Sequence, residues 1–352
     1  MAIRHGDQRE PFDAVARGAA LFRRQFTPAE GLGPLFNERA CSSCHVEPAI
    51  GGMGRDGLAT VLRAGRLTSS GFDATLGHGR GARRIEAHAH SVAELGVDCD
   101  RVAGIPPAAN TTSVRNAPPL FGSGLIDAIP DEVIAAGAVP KGRGVEGRPN
   151  YVRGPDGRRV VGRFGWKGDT PTLEQFVADA FRTELGVTSP LAPAGPLPAD
   201  ARPCPGDSSA AEIGASDVRA VVAFLDSLPA PRVEPLEAPG ARVFTATGCA
   251  ACHVPELDTG STKVPLYSDL LLHDMGRALD DGFVQGEADG ADWRTTPLWG
   301  LSQRKRFLHD GRADDLRAAI VAHGGEAEAA TRRFLALSRD DLRALLDFLR
   351  TL

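Results

Sequence analysis

Aromatic residues are scarce in this chain, at 6% of 352 residues, with Trp 3 and Tyr 2. A large cofactor filling the core would make up for that shortage. Methionine is equally rare, with Met1, Met53 and Met275 as the whole supply. No segment approaches the roughly 18 uninterrupted apolar residues of a membrane span, so no such span is expected. The first residues, MAIRHGDQREPFDAVARGAALF, contain no apolar h-region and do not read as a signal peptide. An exported protein would carry this chain as a mature or trimmed form. An excess of positive charge is missing too. A net charge of -5 sets up no field for phosphates and argues against a nucleic-acid partner.

What remains is substantial. A hydrophobic content of 42% suffices for packed cores, and the length suits two domains. Gly 41 and Pro 26 predict long irregular loops between short helices. Of the six cysteines, four fall in the runs Cys41-Ser42-Ser43-Cys44-His45 and Cys249-Ala250-Ala251-Cys252-His253. Cys-x-x-Cys-His is the attachment signature of c-type haem. Cysteines at i and i+3 on one helical turn present both sulfurs to one side, toward the two vinyl groups of a porphyrin. The adjacent His45 or His253 then falls under the iron as proximal ligand. Zinc binding and thiol redox chemistry use the same residue types. The occurrence of two complete runs favours haem.

The surroundings of the two runs repeat in outline. An amphipathic stretch, Ala14–Phe22, precedes the first, and a shorter one, Pro239–Phe244, precedes the second. The halves close with Ser216–Leu228 and Arg339–Leu352, both apolar at i, i+3, i+4 and i+7, with Ser216 and Ser338 as expected N-caps. A leading helix, an attachment turn, a loop and a closing helix describe a class I cytochrome c-like domain. The Pro-rich stretch Pro229–Pro235 marks the boundary. The expected fold is therefore mainly α. It comprises two tandem cytochrome c-like domains, residues 8–231 and 232–352, with long irregular loops. An insertion at about residues 124–162 of the first domain contains a β-hairpin over Tyr151–Val161, around Pro155-Asp156-Gly157. Pro190–Pro205 reads as an extended surface loop.

With these motifs the chain resembles the bacterial di-haem cytochrome c peroxidases. It looks closest to their relatives called di-haem oxidoreductases, or thiol oxidoreductases. The more specific segments are Arg163–Lys167, Leu271–Gly276 and Phe307–Ala313, and the resemblance spans nearly the whole chain. It implies that the N-terminal haem is the peroxide site, blocked at rest by a histidine in a loop similar to Gly77-His78-Gly79. His78 is thus the candidate distal ligand, with His88 and His90 as alternatives. Trp166 resembles the tryptophan between the two haems, a candidate electron relay. Thr183-Glu184-Leu185-Gly186 resembles the segment bearing the distal acid, which makes Glu184 the candidate acid-base for peroxide cleavage. The resemblance also implies a calcium ion between the haems, with Asn116, Thr295 and Pro297 as carried-over ligands.

One departure matters. In the peroxidases a Met just beyond the His-Asp-Gly motif ligates the second iron, and the corresponding residue here is Ala313. Met275 is the nearest substitute, His273 competes with it, and a five-coordinate iron is a third arrangement. Cys99 and Cys204 remain, either as a disulfide closing a long loop or as two free thiols. They lack Cys-x-x-Cys spacing, which discounts thiol chemistry.

The expectation is a periplasmic di-haem oxidoreductase of the cytochrome c peroxidase kind. Electrons from a small cytochrome or cupredoxin would pass from the C-terminal haem to a peroxide-like oxidant at the N-terminal one. A non-catalytic electron-transfer cytochrome and a di-haem oxidase acting on a partner protein are the alternatives. Such peroxidases are often homodimers, although the residues name no interface.

Overall fold

A computed structural model describes residues 9–69, 71–73, 86–142, 144–194, 202–205, 207, 210–233 and 239–352. The Gly77-His78-Gly79 loop lies outside the described residues, as do residues 195–201 of the expected surface loop and the linker residues Glu234 and Pro235.

Ten α-helices occur among the described residues. In the first part of the chain they are α1 (Arg9–Arg23), α2 (Cys41–Cys44), α3 (Ser123–Asp127), α4 (Asp131–Ala136), α5 (Leu173–Glu184) and α6 (Ala215–Asp226). The rest are α7 (Pro239–Thr247), α8 (Leu316–Val321), α9 (Glu328–Leu335) and α10 (Arg339–Leu349). No helix of the described residues is long and apolar enough to cross a membrane.

The repeat in the sequence becomes a repeat in packing. Helix α1 crosses α6 at Gly18, where a Cβ would collide with the Ala220 carbonyl, and α7 crosses α10 at Gly240, where it would collide with that of Ala344. Four residues beyond each of these positions stands a phenylalanine. Phe22 meets Phe224 with ring centroids 5.3 Å apart, and Phe244 meets Phe348 at 5.7 Å. Only glycine lets the two backbones approach this closely, and an i, i+4 step puts the ring on the same face.

Helix α10 starts as the sequence predicts, with the Ser338 hydroxyl accepting from the Asp341 N–H at 3.1 Å. Helix α6 starts earlier than predicted. Its N-cap is Gly214, whose N–H donates to the Asp217 carboxylate at 3.0 Å, and Ser216 lies inside the first turn. The Asp217 carboxylate at the third helical position accepts from the N-cap residue's own N–H, the half of a capping box that needs no side chain at the cap.

The β-structure exceeds the single hairpin expected. The hairpin is present, as β7 (Asn150–Arg153) against β8 (Arg159–Gly162), in antiparallel register from Asn150 opposite Gly162 to Arg153 opposite Arg159. The other strands, numbered along the whole chain, are β1 (Leu35–Phe36), β2 (Thr60–Thr68), β3 (Gly71–Asp73), β4 (Glu86–Ala87), β5 (His90–Ser91) and β6 (Thr111–Asn116). They continue with β9 (Leu257–Asp258), β10 (Lys263–Val264), β11 (Leu272–Asp274) and β12 (Asp292–Arg294). Strand β2 pairs antiparallel with β3, β4 and β6 in the largest sheet, while β1–β5, β9–β10 and β11–β12 are isolated pairs. Most of these strands are only two or three residues long, too short for a period of two to show.

Two apolar clusters form. The larger contains Phe22, Phe26, Ile129, Phe181 and Phe224, and Leu266, Leu270, Leu271 and Trp299 join it from beyond the expected boundary. The smaller gathers Phe244, Tyr267, Phe334, Leu345 and Phe348. Each cluster packs beside one attachment turn, through Cys41 and Cys249 respectively.

Candidate functional site

Cys41 to Cys44 form one helical turn, and His45 caps it, its N–H donating to the Cys41 carbonyl at 3.1 Å. The second run makes a 3-10 turn, Cys249–Ala251, and the His253 N–H reaches the Cys249 carbonyl at 2.9 Å. In both, the imidazole is fixed the same way. His45 Nδ1 meets the Gly52 carbonyl at 3.0 Å, and His253 Nδ1 meets the Tyr267 carbonyl at 3.0 Å. A carbonyl only accepts, so Nδ1 carries the proton and Nε2 keeps its lone pair. Metal-bound histidines are held in this way by a second partner. Burial pushes both imidazoles toward the neutral form, His253 down to about 4.

Three of the motif thiols are held neutral as well. Burial pushes Cys41, Cys44 and Cys249 up to about 12. Thiol exchange requires a thiolate, so this environment counts against that reading. Among the described residues, neither run gathers three groups whose ligand atoms lie close enough to share a metal.

A cavity adjoins each turn. The first, of about 1240 Å³, is bordered by Cys44, Asn37, Arg55, His88 and His90. The second, of about 720 Å³, is lined by Cys249, Cys252 and His253, with Phe244, Leu298 and Leu301 among its apolar walls. Volumes of several hundred Å³ with apolar walls and a few polar groups suit a large organic cofactor. At the second turn, paired thiols, a neutral imidazole with Nε2 available and an apolar wall together fit a c-type haem; at the first, Cys44 borders the cavity, and Cys41 and His45 belong to the same turn.

Glu184, the last residue of α5, lies beside the first turn. Its carboxylate accepts from Asn37 Nδ2 at 2.7 Å, and its carbonyl accepts from the Asn37 N–H at 2.7 Å. After burial, its charge is the next influence raising the Cys44 thiol. Of the other histidines on the first cavity, His88 Nε2 meets the Thr183 carbonyl at 3.0 Å, and His90 Nδ1 pairs with Glu94 at 2.8 Å.

Trp166 lines the second cavity, and its indole N–H donates to the Asn116 carbonyl at 2.8 Å. The ladder of β11 with β12 sets His273 opposite Trp293 on the same wall. His273 is no longer a competitor for the iron. Its Nε2 meets Asp269 at 3.1 Å and its Nδ1 meets Glu326 at 2.7 Å. Burial opposes its charge, but Asp269, Cys252 and Glu326 outweigh burial and push it up to about 11. An imidazolium has no lone pair to give a metal.

Met275 lines the second cavity, as does a residue the sequence reading passed over, His323. His323 follows α8, and its Nδ1 meets the Ala319 carbonyl at 2.7 Å. Three histidines in the molecule therefore share one arrangement, Nδ1 on a backbone carbonyl beside a candidate haem cavity. The i, i+4 step from Ala319 on a helix end was the available sequence signal, but it belongs to any helical histidine.

The three carried-over calcium ligands come together on this side of the molecule, but they do not fit a calcium ion. The Asn116 side chain already accepts from the Ala59 N–H at 2.8 Å and donates to the Gly57 carbonyl at 2.9 Å. The Thr295 carbonyl accepts from Ser268 Oγ at 2.7 Å and Arg294 Nη1 at 3.2 Å. The Pro297 carbonyl accepts from Arg304 Nη2 at 2.8 Å. Two guanidiniums stand where a cation would need open oxygens.

Cys99 and Cys204 are joined in a disulfide across 105 positions of sequence.

With the geometry in hand, similarity to known proteins is informative. The family model described as "Di-haem oxidoreductase, putative peroxidase" matches residues 109–352. No curated protein matches the chain. Among solved structures, a MauG-like protein associated with microbial copper homeostasis aligns at 16% identity and a TM-score of 0.46, covering 100% of this chain and 91% of that one. The diheme peroxidase BthA from Burkholderia thailandensis E264 aligns at 17% identity and a TM-score of 0.43, covering 100% and 87%. Hydrazine synthase of Kuenenia stuttgartiensis aligns at 15% and 0.41, covering 100% and 98%.

Proposed function

We propose, from the premise that this chain belongs to the di-haem oxidoreductase family of peroxidase-like proteins, that it is a periplasmic di-haem c-type enzyme reducing a peroxide-like oxidant. In this reading two cytochrome c-like domains, 8–231 and 232–352, each hold one haem, and electrons run from the C-terminal half to the N-terminal half. The observation that carries it is the paired arrangement at His45 and His253. Each follows two unpaired cysteines at i and i+3, and each presents Nε2 because a carbonyl holds Nδ1.

Bound there, an iron porphyrin supplies one-electron chemistry at a potential set by its axial ligands. The rest falls to the protein. Cys41 and Cys44 tether the first group, Cys249 and Cys252 the second. Glu184, steadied by Asn37, takes the proton from one peroxide oxygen and returns it to the other. Trp166, anchored on the Asn116 carbonyl, is the relay between the halves. His78 remains the proposed displaceable ligand of the first iron. For the second iron the shared Nδ1 arrangement favours His323 over Met275 as the sixth ligand. The disulfide suits an oxidising compartment and so supports the periplasm. A small cytochrome or cupredoxin is the proposed donor, and a homodimer the proposed assembly.

The test uses protein matured in a host competent for c-type haem. We expect two additional porphyrin masses that survive acid-acetone extraction, and peroxide turnover with a reduced small cytochrome as donor. Covalent haem without peroxide consumption or cyanide binding in any redox state would make the chain an electron carrier instead. No covalent porphyrin would end the haem reading altogether.

A further inference from the structure

The carbonyls that do not fit calcium are held by charged groups of the chain itself. Arg304 Nη2 donates to the Pro297 carbonyl at 2.8 Å and to the Trp299 carbonyl at 3.1 Å. Arg294 Nε donates to the Gly165 carbonyl at 2.9 Å, and its Nη1 to that of Thr295. Both side chains line the second cavity. Arg304 also borders a small crevice with Met53, Pro119 and Phe121, so it stands where the two halves of the chain meet. Arg304 Nε is buried and has no acceptor among the described residues. Leaving a charged donor unsatisfied in the interior is costly, and native structures rarely do so without a partner outside the protein.

We propose that Arg304, with Arg294 beside it, is the built-in cation of the second cavity. Its guanidinium occupies the carbonyl cradle in place of a metal ion, and its unpartnered Nε–H is the donor for a propionate carboxylate of the porphyrin. Guanidinium is suited to both tasks. It is planar, presents several donors in fixed directions and pairs closely with carboxylates. Burial lowers both arginines to about 10, which leaves them cationic at neutral pH. A fixed positive charge beside a haem disfavours the oxidised, more positive iron, and so holds the potential up.

The proposal rests on the haem reading above, but the two fail separately. Metal analysis of the dialysed holoprotein tests the cradle whatever the enzyme's activity. We expect calcium far below one ion per chain and no change in the visible spectrum on adding EGTA. About one calcium per chain, with a spectral shift when EGTA removes it, would overturn the proposal. The second arm is an optical redox titration of the holoprotein. Arg304→Gln is expected to lower the midpoint potential of one haem and leave the other unmoved, and Arg304→Lys to restore most of the difference. Unchanged potentials in Arg304→Gln would equally overturn it. Should Arg304→Gln fail to retain haem, the metal content of the unaltered protein still decides the matter.

Discussion

The two Cys-x-x-Cys-His runs were legible because the signal is contiguous. Cysteines, spacing and histidine lie within five residues, and the turn that brings them together is one turn of helix. The sixth ligand was not legible, since nothing in a loop sequence says which side chain faces a cavity. His323→Ala is expected to convert the second haem to a high-spin spectrum, and Met275→Ala to leave it alone. A charge-transfer band at about 700 nm in the wild type, lost in Met275→Ala, would reverse the assignment. Residues meeting across long separations were equally hidden, such as Asn37 with Glu184 and Arg294 with the Gly165 carbonyl. His273 carries a pH prediction. Its two carboxylate partners, Asp269 and Glu326, are held below their ordinary values of 3.8 and 4.5; burial resists this, and the His273 charge outweighs it. Their contribution to stability is present above those values and is lost as the pH falls. His273 is raised from 6.5 to about 11, so its contribution is complete below 6.5 and is lost as the pH climbs toward 11. The network therefore stabilises most between about pH 4.5 and 6.5. A thioether at Cys252 removes that sulfur's share of the upward push and leaves both carboxylates. His273→Gln should cost on the order of 3 kcal/mol in that window, the usual scale for stripping one partner from a buried pair. Urea unfolding of the two proteins across the pH range should show the gap narrowing on the alkaline side.

The helices that flank the two attachment runs, α1, α6, α7 and α10, were legible from their period, whereas α5, of the same length as α6, was not read as a helix. The strands were not legible: most are two or three residues long, and the longest, β2 (Thr-Val-Leu-Arg-Ala-Gly-Arg-Leu-Thr), has no clean alternation and pairs with β6 across a long stretch of chain. The Pro-Asp-Gly hairpin was the exception, since its turn chemistry is local. The helix crossings carry information that composition hides. Gly18 and Gly240 look like ordinary glycines until each is seen four residues before a phenylalanine that packs on the closing helix. Because the obstruction at each is a backbone carbonyl, no rotamer change relieves it. Gly18→Ala is expected to destabilise the first half by about 1–3 kcal/mol, the scale of overpacking. Gly240→Ala should do the same in the second half. Denaturant unfolding followed through the haem absorbance would read both, and a neutral result at either glycine would break the equivalence drawn between the two crossings.

At the scale of the whole molecule, the cysteines divide into two chemistries with no overlap. Cys41, Cys44, Cys249 and Cys252 are unpaired thiols of the two attachment runs, and Cys99 is bonded to Cys204. Sequence spacing separated the groups but left the last pair undecided, because closing a loop of 105 positions depends on the tertiary fold. The division makes a sharp count. Six cysteines less four thioethers leave one disulfide. Denatured, unreduced holoprotein should therefore show no reactive thiol, and reduction should release the two of Cys99 and Cys204 alone. The same protein made without haem maturation should show the four motif thiols before reduction. Cys99→Ser together with Cys204→Ser should lower stability by roughly 2–4 kcal/mol without changing haem content, as expected when a long loop loses its cross-link. Two reactive thiols in the unreduced holoprotein would instead mean that the loop stays open, and the support the disulfide lends to an oxidising compartment would fall with it.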